Sequence, residues 1–140
     1  MNIRIAEIKD MELLSADRHI SRHELENSVK LKRVYIAEKK GVFAGWLRYN
    51  LFWDNTPFMN MLYILEDFRG KGYGRVLVEN WEMDMLKLSF DTVMTSTASN
   101  EYAQHFYVKL GYKAIGGFTL FEEPLELIFA KKLCYPIDNC

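Results

Sequence analysis

Arg69-Gly70-Lys71-Gly72-Tyr73-Gly74-Arg75 lies between an apolar run and a segment of helical period, and the fold turns on how this stretch is read. Upstream, Phe58 to Leu65 is apolar except at Asn60, the pattern of a central strand buried on both faces. Downstream, Leu77, Trp81, Met85 and Leu88 recur at intervals of four, four and three, one face of a helix beginning near Arg75. Strand, glycine loop and helix start together make an anion-binding geometry. Residues without side chains let backbone N–H groups turn toward a phosphate, the helix N-terminus adds partial positive charge, and Arg69, Lys71 and Arg75 add whole charges. A Walker A loop is excluded because Lys71 is followed by Gly72-Tyr73 rather than by Ser or Thr. A dinucleotide fingerprint is excluded because the position for its third glycine, counted from Gly70 and Gly72, is Arg75.

Outward from this loop the chain alternates hairpins with strand-helix-strand segments. Ile3, Ile5 and Ile8 predict a first strand, and Asp10 caps a helix bearing Leu13, Leu14 and Ala16. Ser21-Arg22-His23-Glu24 reads as a capping box opening a second helix with Leu25 and Val29 on its apolar face. Val34 to Ala37 is a strand closed by Lys39-Lys40-Gly41. Phe43, Gly45, Leu47, Tyr49, Leu51 and Trp53 then alternate with polar positions that include Arg48 and Asn50, predicting a long, half-exposed strand. Asp54-Asn55-Thr56-Pro57 supplies the reversal. After the long helix, Thr92 to Thr97 is a strand, and Ala103, Phe106, Tyr107 and Leu110 mark a helix ended by Gly111. Strands at about Tyr112 to Thr119 and Leu125 to Lys132 finish the pattern, with Gly116-Gly117 and Glu122-Glu123-Pro124 as breaks. One α/β or α+β domain over residues 1–140 is expected.

Composition excludes several classes of function. The chain has 140 residues, 49% hydrophobic and 14% aromatic, enough for one real core. Eighteen Lys and Arg against 19 Asp and Glu leave a net charge of -1, too little positive field for general nucleic-acid binding. The absence of a long uncharged apolar run predicts no membrane span, and acids near the start argue against a secretory signal, so a cytoplasmic protein is expected. Cys134 and Cys140 would close only a short loop and are expected as reduced thiols. His19, His23 and His105 lack metal-ligand spacing, so no metal is expected. Trp46, Trp53 and Trp81 are read as core or sheet-surface residues, and Met83 and Met85 as helix packing.

Arg69, Gly72 and Gly74 place Arg-x-x-Gly-x-Gly after a buried strand, which resembles the pyrophosphate loop of the GNAT acetyltransferases. The lead-in Ile64-Leu65-Glu66-Asp67-Phe68 is similar too, departing at Glu66 where the family often has proline. Asn100 to Tyr112 resembles the family's second cofactor segment, with Asn100, Tyr107, Lys109, Gly111 and Tyr112 in the family's order. The resemblance covers about residues 34 to 132. It implies a mixed, mostly antiparallel sheet of six or seven strands flanked by helices, splayed where the strands ending near Leu65 and beginning near Thr92 diverge. It also implies acetyl-CoA as co-substrate. Pyrophosphate would lie on the N–H groups of Gly70, Lys71, Gly72, Tyr73, Gly74 and Arg75 beside Arg69, and pantetheine would pair as an added strand with Leu62, Tyr63 and Ile64. Asn100 and Tyr107 would contact the cofactor, and Tyr107 would protonate the departing thiolate.

The acceptor is less defined. Near-neutral charge favours a small or amino-acid-like primary amine over a highly basic protein, with a protein or peptide acceptor, or a silent acyl-CoA-binding module, as alternatives. Where relatives that acetylate protein N-termini often carry a glutamate, five residues before the asparagine, this chain has Thr95. A threonine can hold a water but cannot itself be the base, and Glu66 is the nearest carboxylate alternative. The two N-terminal helices and the reversal near Asp54 are expected to form the acceptor entry, with Glu24, Arg48, Asn50 and Asp54 as polar lining. Exposed aromatics and the tail from Leu133 to Cys140 would suit self-association, giving a homodimer as a further expectation.

Overall fold

The computed structural model describes residues 1–138. Seven strands, β1 (Asn2–Ile5), β2 (Val34–Lys39), β3 (Val42–Phe52), β4 (Thr56–Ile64), β5 (Thr92–Ala98), β6 (Lys113–Phe118) and β7 (Glu126–Lys132), form one sheet in the order β1-β2-β3-β4-β5-β7-β6. The helices are α1 (Met11–Leu14), α2 (Arg22–Lys30), α3 (Tyr73–Lys87) and α4 (Ala103–Lys109). β1–β2, β2–β3, β5–β7 and β6–β7 pair antiparallel, whereas β4–β5 is parallel and limited to Phe58↔Met94 and Met59↔Thr95. That brief parallel contact is the splayed pair expected of the fold. No helix among the described residues is long and apolar enough to cross a membrane.

Two compact units share the chain, one of Met1–Asn50 with Asn60–Trp81, the other of Leu51–Met59 with the residues from Glu82 onward. In the first, Ala6, Met11, Leu14, Leu25, Val29, Val34, Ile36 and Trp46 form a buried cluster on which Ile20, Phe43, Met61 and Leu65 pack. Ser21 caps α2, its side chain accepting from Glu24 N–H at 3.2 Å, and Leu25 and Val29 face inward as their spacing requires. Asp10 precedes α1, but its carboxylate serves the Arg4 guanidinium at 2.7 and 2.8 Å and Glu7 N–H instead of capping that helix. In α3, Leu77, Trp81 and Met85 are fully buried, while Leu88 falls beyond the helix and is exposed. Gly111 follows α4 at φ +94, the left-handed conformation expected of a residue there.

Four expectations are corrected. β3 is buried on both faces from Ala44 to Tyr49 instead of half exposed, because Arg48 is neutralised within the fold. β4 is buried only at Pro57 and Met59, because its ladder with β5 ends at Met59. Gly116-Gly117 lies inside β6 next to a register shift between Ala114 and Gly116, so the break is a local shift of pairing and not a gap in the strand. Cys134 is disulfide-bonded and not a reduced thiol. The expectation for Cys140 lies outside the described residues.

The β3–β4 reversal also differs. Asn55 N–H bonds to Phe52 O at 3.2 Å, so Trp53 and Asp54 are the central residues of the turn, at φ +56 and +63. Positive φ at both central residues matches the twist of a tight hairpin but is strained for a bulky side chain. Trp53 is 78% exposed, with its ring centroid 4.8 Å from that of Phe52. Replacing Trp53-Asp54 by Asn-Gly is therefore expected to stabilise the protein by about 1 kcal/mol. A higher urea midpoint at unchanged slope is the expected reading, and a lower midpoint would show that the Phe52–Trp53 contact outweighs the strain.

Candidate active site

The glycine loop belongs to the first unit. Gly70 and Gly72 adopt φ +74 and +82, and a side chain built on either would meet nothing within 4 Å, so their outer faces are open to a ligand. Val76 N–H to Gly72 O, at 3.1 Å, opens the α3 ladder, and the N–H groups ahead of it have no intrahelical acceptor. These features fit a pyrophosphate: open backbone, orphan donors and the positive end of a 15-residue helix. Gly74 sits within α3 without positive φ, so what it offers is the absence of a side chain beside the loop.

The side chains of the loop are disposed less uniformly than the sequence suggests. Tyr73 is buried, its ring stacked 6.1 Å from Phe68 with the Lys39 ammonium 5.8 Å from its centroid, so only its backbone can serve a phosphate. Arg75 is exposed and paired with Glu79 at 2.6 Å. The exposed Lys71 ammonium points back to Asp67 O at 3.5 Å. Arg69 donates through Nε to Ile64 O at 2.8 Å, with its guanidinium carbon 5.2 Å from the Tyr63 ring.

Strand geometry divides Leu62, Tyr63 and Ile64. Leu65 N–H bonds to Ala44 O at 2.8 Å, and a Cβ on Gly45 would lie 2.4 Å from Tyr63 O, so the Tyr63 backbone faces β3. Alternation then turns the Leu62 and Ile64 backbone groups to the other side, beyond the end of the parallel ladder. On that side Leu62 presents its N–H and carbonyl and Ile64 its N–H, the Ile64 carbonyl being held by Arg69 Nε at 2.8 Å.

The second unit holds Tyr107, Thr95 and Asn100. Asn100 is exposed and does not cap α4, whose N-cap position is Tyr102. Tyr107 is 7% exposed, its ring 5.7 Å from Tyr112 and 6.2 Å from Phe129. Burial pushes its phenol up to about 12, a hydrogen bond with Thr95 opposes that rise, and the Glu101 charge adds to it. Thr95 is 1% exposed and donates to Met59 O at 2.9 Å. The Thr95 hydroxyl, beside which a water-mediated proton path is expected, is already engaged as a donor to Met59 O. Glu66 is exposed in a 3-10 turn, Glu66–Phe68.

Four polar residues are expected to line the acceptor entry. Glu24 and Asp54 are exposed, and Asn50 accepts from Asn60 at 2.8 Å. Arg48 is buried against Asp17, which accepts from its Nε at 2.6 Å, from Trp46 Nε1 at 3.1 Å and from His19 N–H at 3.1 Å. Burial alone would raise the Asp17 carboxyl, but the Arg48, His19 and Trp46 donors hold it below the usual carboxylate range. Asp17 is not singled out by its local sequence. The available signal was that Trp46 and Arg48, two apart on β3, share a face and both need an acceptor there.

An acetyltransferase (GNAT) family model matches residues 4–112, and the chain belongs to that family. Over 95 residues it is 27% identical to an uncharacterized N-acetyltransferase of Chlorobaculum tepidum, an alignment covering 67% of this chain and 59% of that relative's length. The fold is similar to a GNAT-family acetyltransferase from Bacillus cereus, with TM-score 0.78 and 24% identity over 96% of this chain and 98% of the other. It is also similar to the PaiA N-acetyltransferase of Thermoplasma acidophilum solved with coenzyme A, with TM-score 0.78 and 18% identity over 94% and 98% of the two chains.

Proposed function

We propose that this chain is an N-acetyltransferase that moves the acetyl group of acetyl-CoA to a primary amine of a small or amino-acid-like acceptor by direct attack. The observation that carries the reading is the glycine loop, with Gly70 and Gly72 at positive φ, open outer faces and orphan N–H groups at the start of α3. In this reading the loop holds the pyrophosphate, Leu62 and Ile64 offer their outward backbone groups to pantetheine amides, and Tyr107 delivers a proton to the departing sulfur. Family membership supports the assignment, as does the relative named as an N-acetyltransferase. Arg48 lacks an unbalanced charge for an anionic acceptor because Asp17 neutralises it, which with a net charge of -1 favours a small amine over a strongly charged polymer.

The test is free-thiol release from acetyl-CoA across a panel of primary amines and short peptides, alongside calorimetric titration with CoA. Gly72→Leu with Gly74→Leu is expected to weaken CoA binding at least 100-fold, because side chains would fill the approach to the orphan N–H groups. A retained melting temperature shows that the variant is folded. Unchanged CoA affinity in that folded variant would refute the loop's role, and no thiol release with any amine would refute the transferase reading.

A further inference from the structure

Glu82, Tyr112 and Lys131 meet in a polar cluster inside the second unit, and the acyl-transfer reading leaves all three unused. The Glu82 side chain, on α3 and buried, accepts from the Tyr112 hydroxyl through Oε2 at 2.7 Å and from the Lys131 ammonium through Oε1 at 2.9 Å. Both carboxylate oxygens are thereby used. Burial, and then the adjacent Glu82 charge, hold the Tyr112 phenol far above its ordinary value, so it stays a donor. The Lys131 ammonium also lies 5.6 Å from the centroid of the Tyr112 ring. Apolar side chains of similar volume often match such a buried pair in stability, but they cannot pin a ring by its oxygen. The ring so pinned belongs to the residue that holds Tyr107. Gly111, at φ +94, turns the chain back after α4, and Tyr112 N–H donates to Tyr107 O at 3.0 Å. The two rings then meet edge to face, 5.7 Å apart and inclined at 63°. Phe129 on β7 supplies a second wall 6.2 Å from the Tyr107 ring, and Lys131, two residues further along that strand, shares its face.

We propose that Glu82 is a positioning residue for Tyr107, acting through Tyr112: by holding the Tyr112 hydroxyl it fixes the wall against which the Tyr107 ring stands, and with it the place of the Tyr107 phenol oxygen. The inference rests on the transferase reading above. A proton donor works only from the right distance and direction, and a displacement of about 1 Å can cost on the order of 10² in rate. No proton passes through the cluster, because Tyr112 keeps its own throughout. The device requires an acceptor at position 82 that reaches the Tyr112 hydroxyl. Glutamine supplies one once the Lys131 charge is removed as well, and methionine does not.

The experiment follows thiol release from acetyl-CoA with glycylglycine and benzylamine as acceptor probes. Tyr112→Phe removes the tether and keeps the ring, Glu82→Met/Lys131→Met removes it and leaves no unpaired charge, and Glu82→Gln/Lys131→Met keeps an acceptor for the phenol. The two tether-free variants are expected to lower kcat about tenfold with KM for acetyl-CoA unchanged, and Glu82→Gln/Lys131→Met to stay within about twofold of wild type. In the Tyr107→Phe background, Tyr112→Phe is expected to have no further effect. Wild-type kcat in either tether-free variant, an undiminished loss in the Tyr107→Phe background, or an equal loss in Glu82→Gln/Lys131→Met overturns the positioning role. A readout independent of turnover uses NMR of ring-labelled tyrosine, with the Tyr107 Cζ resonance identified by its loss in Tyr107→Phe. That resonance is expected to move in Glu82→Met/Lys131→Met and to return toward wild type in Glu82→Gln/Lys131→Met. Wild-type turnover in Tyr107→Phe, or no thiol release with any amine, overturns the transferase reading of Tyr107, and the NMR contrast then decides whether Glu82 places the ring. A Tyr107 resonance unmoved by loss of the tether overturns the proposal whichever acceptor the enzyme uses. Should Glu82→Met/Lys131→Met not fold, Tyr112→Phe against wild type supplies the same contrast.

Discussion

Tyr107→Phe is expected to lower turnover of acetyl-CoA by a factor on the order of 10² while leaving CoA affinity within about twofold. The phenylalanine ring keeps the contacts with Tyr112 and Phe129, so packing changes little, and what disappears is one hydroxyl. Burial has pushed that hydroxyl up to about 12, several units above a thiol at roughly 8.5. Complete proton transfer to a free thiolate is therefore uphill. In the proposed role the phenol would help chiefly while the C–S bond is still breaking, which keeps the expected effect at the lower end of the range for a general acid. A phenol raised from its ordinary value stays protonated through neutral pH, so its contribution to stability, and to activity in the proposed role, is fully present below about pH 10 and is lost as pH rises toward 12. No inflection from Tyr107 is expected in the rate profile between pH 6 and 9, and one in that range that vanished in Tyr107→Phe would contradict this account.

Asp17→Asn is expected to destabilise the fold by about 3–5 kcal/mol, the cost of leaving a buried guanidinium without its counter-charge. The side chains of Asp17 and Arg48 are 0% and 9% exposed, so water cannot take over the lost interaction. Replacing both partners with apolar residues, as in Asp17→Leu/Arg48→Met, is expected to recover most of the loss, because no unpaired charge remains. The sign with pH follows from the lowered carboxyl. Its stabilisation is present above the unfolded-state value near 3.9 and is lost as pH falls through the lower folded-state value. Urea unfolding at pH 7 and at pH 3 checks both points. A loss below 1 kcal/mol at pH 7 would mean that Arg48 finds another acceptor.

Features set by local spacing were legible in the sequence. The burial of Leu77, Trp81 and Met85 follows from helical period alone, and Ser21 before Glu24 reports a cap through a bond spanning three residues. The glycine loop was legible for the same reason, since its conformation depends on missing side chains and on the elements that flank it. Properties set by distant partners were not legible. Arg48 has the look of a solvent-facing residue until Asp17, 31 positions earlier, is brought to it. The position of Thr95 above Met59 depends on a parallel register between strands 36 residues apart, and no local pattern encodes that. The hairpin tip was misplaced because its residues are poor turn formers, and strand pairing on either side imposes the conformation on Trp53 and Asp54.

The Arg69 bond to Ile64 O closes a ring between the end of β4 and the start of the glycine loop. Such a clasp acts on timing. With Arg69 tied down, the segment from Ile64 to Arg69 gives up its conformational freedom when the chain folds, at roughly 1–2 kcal/mol per ordered residue, and not when a ligand arrives. A molecule laid along this edge meets a surface already in shape, so association should resemble docking onto a rigid wall more than the ordering of a loose strap.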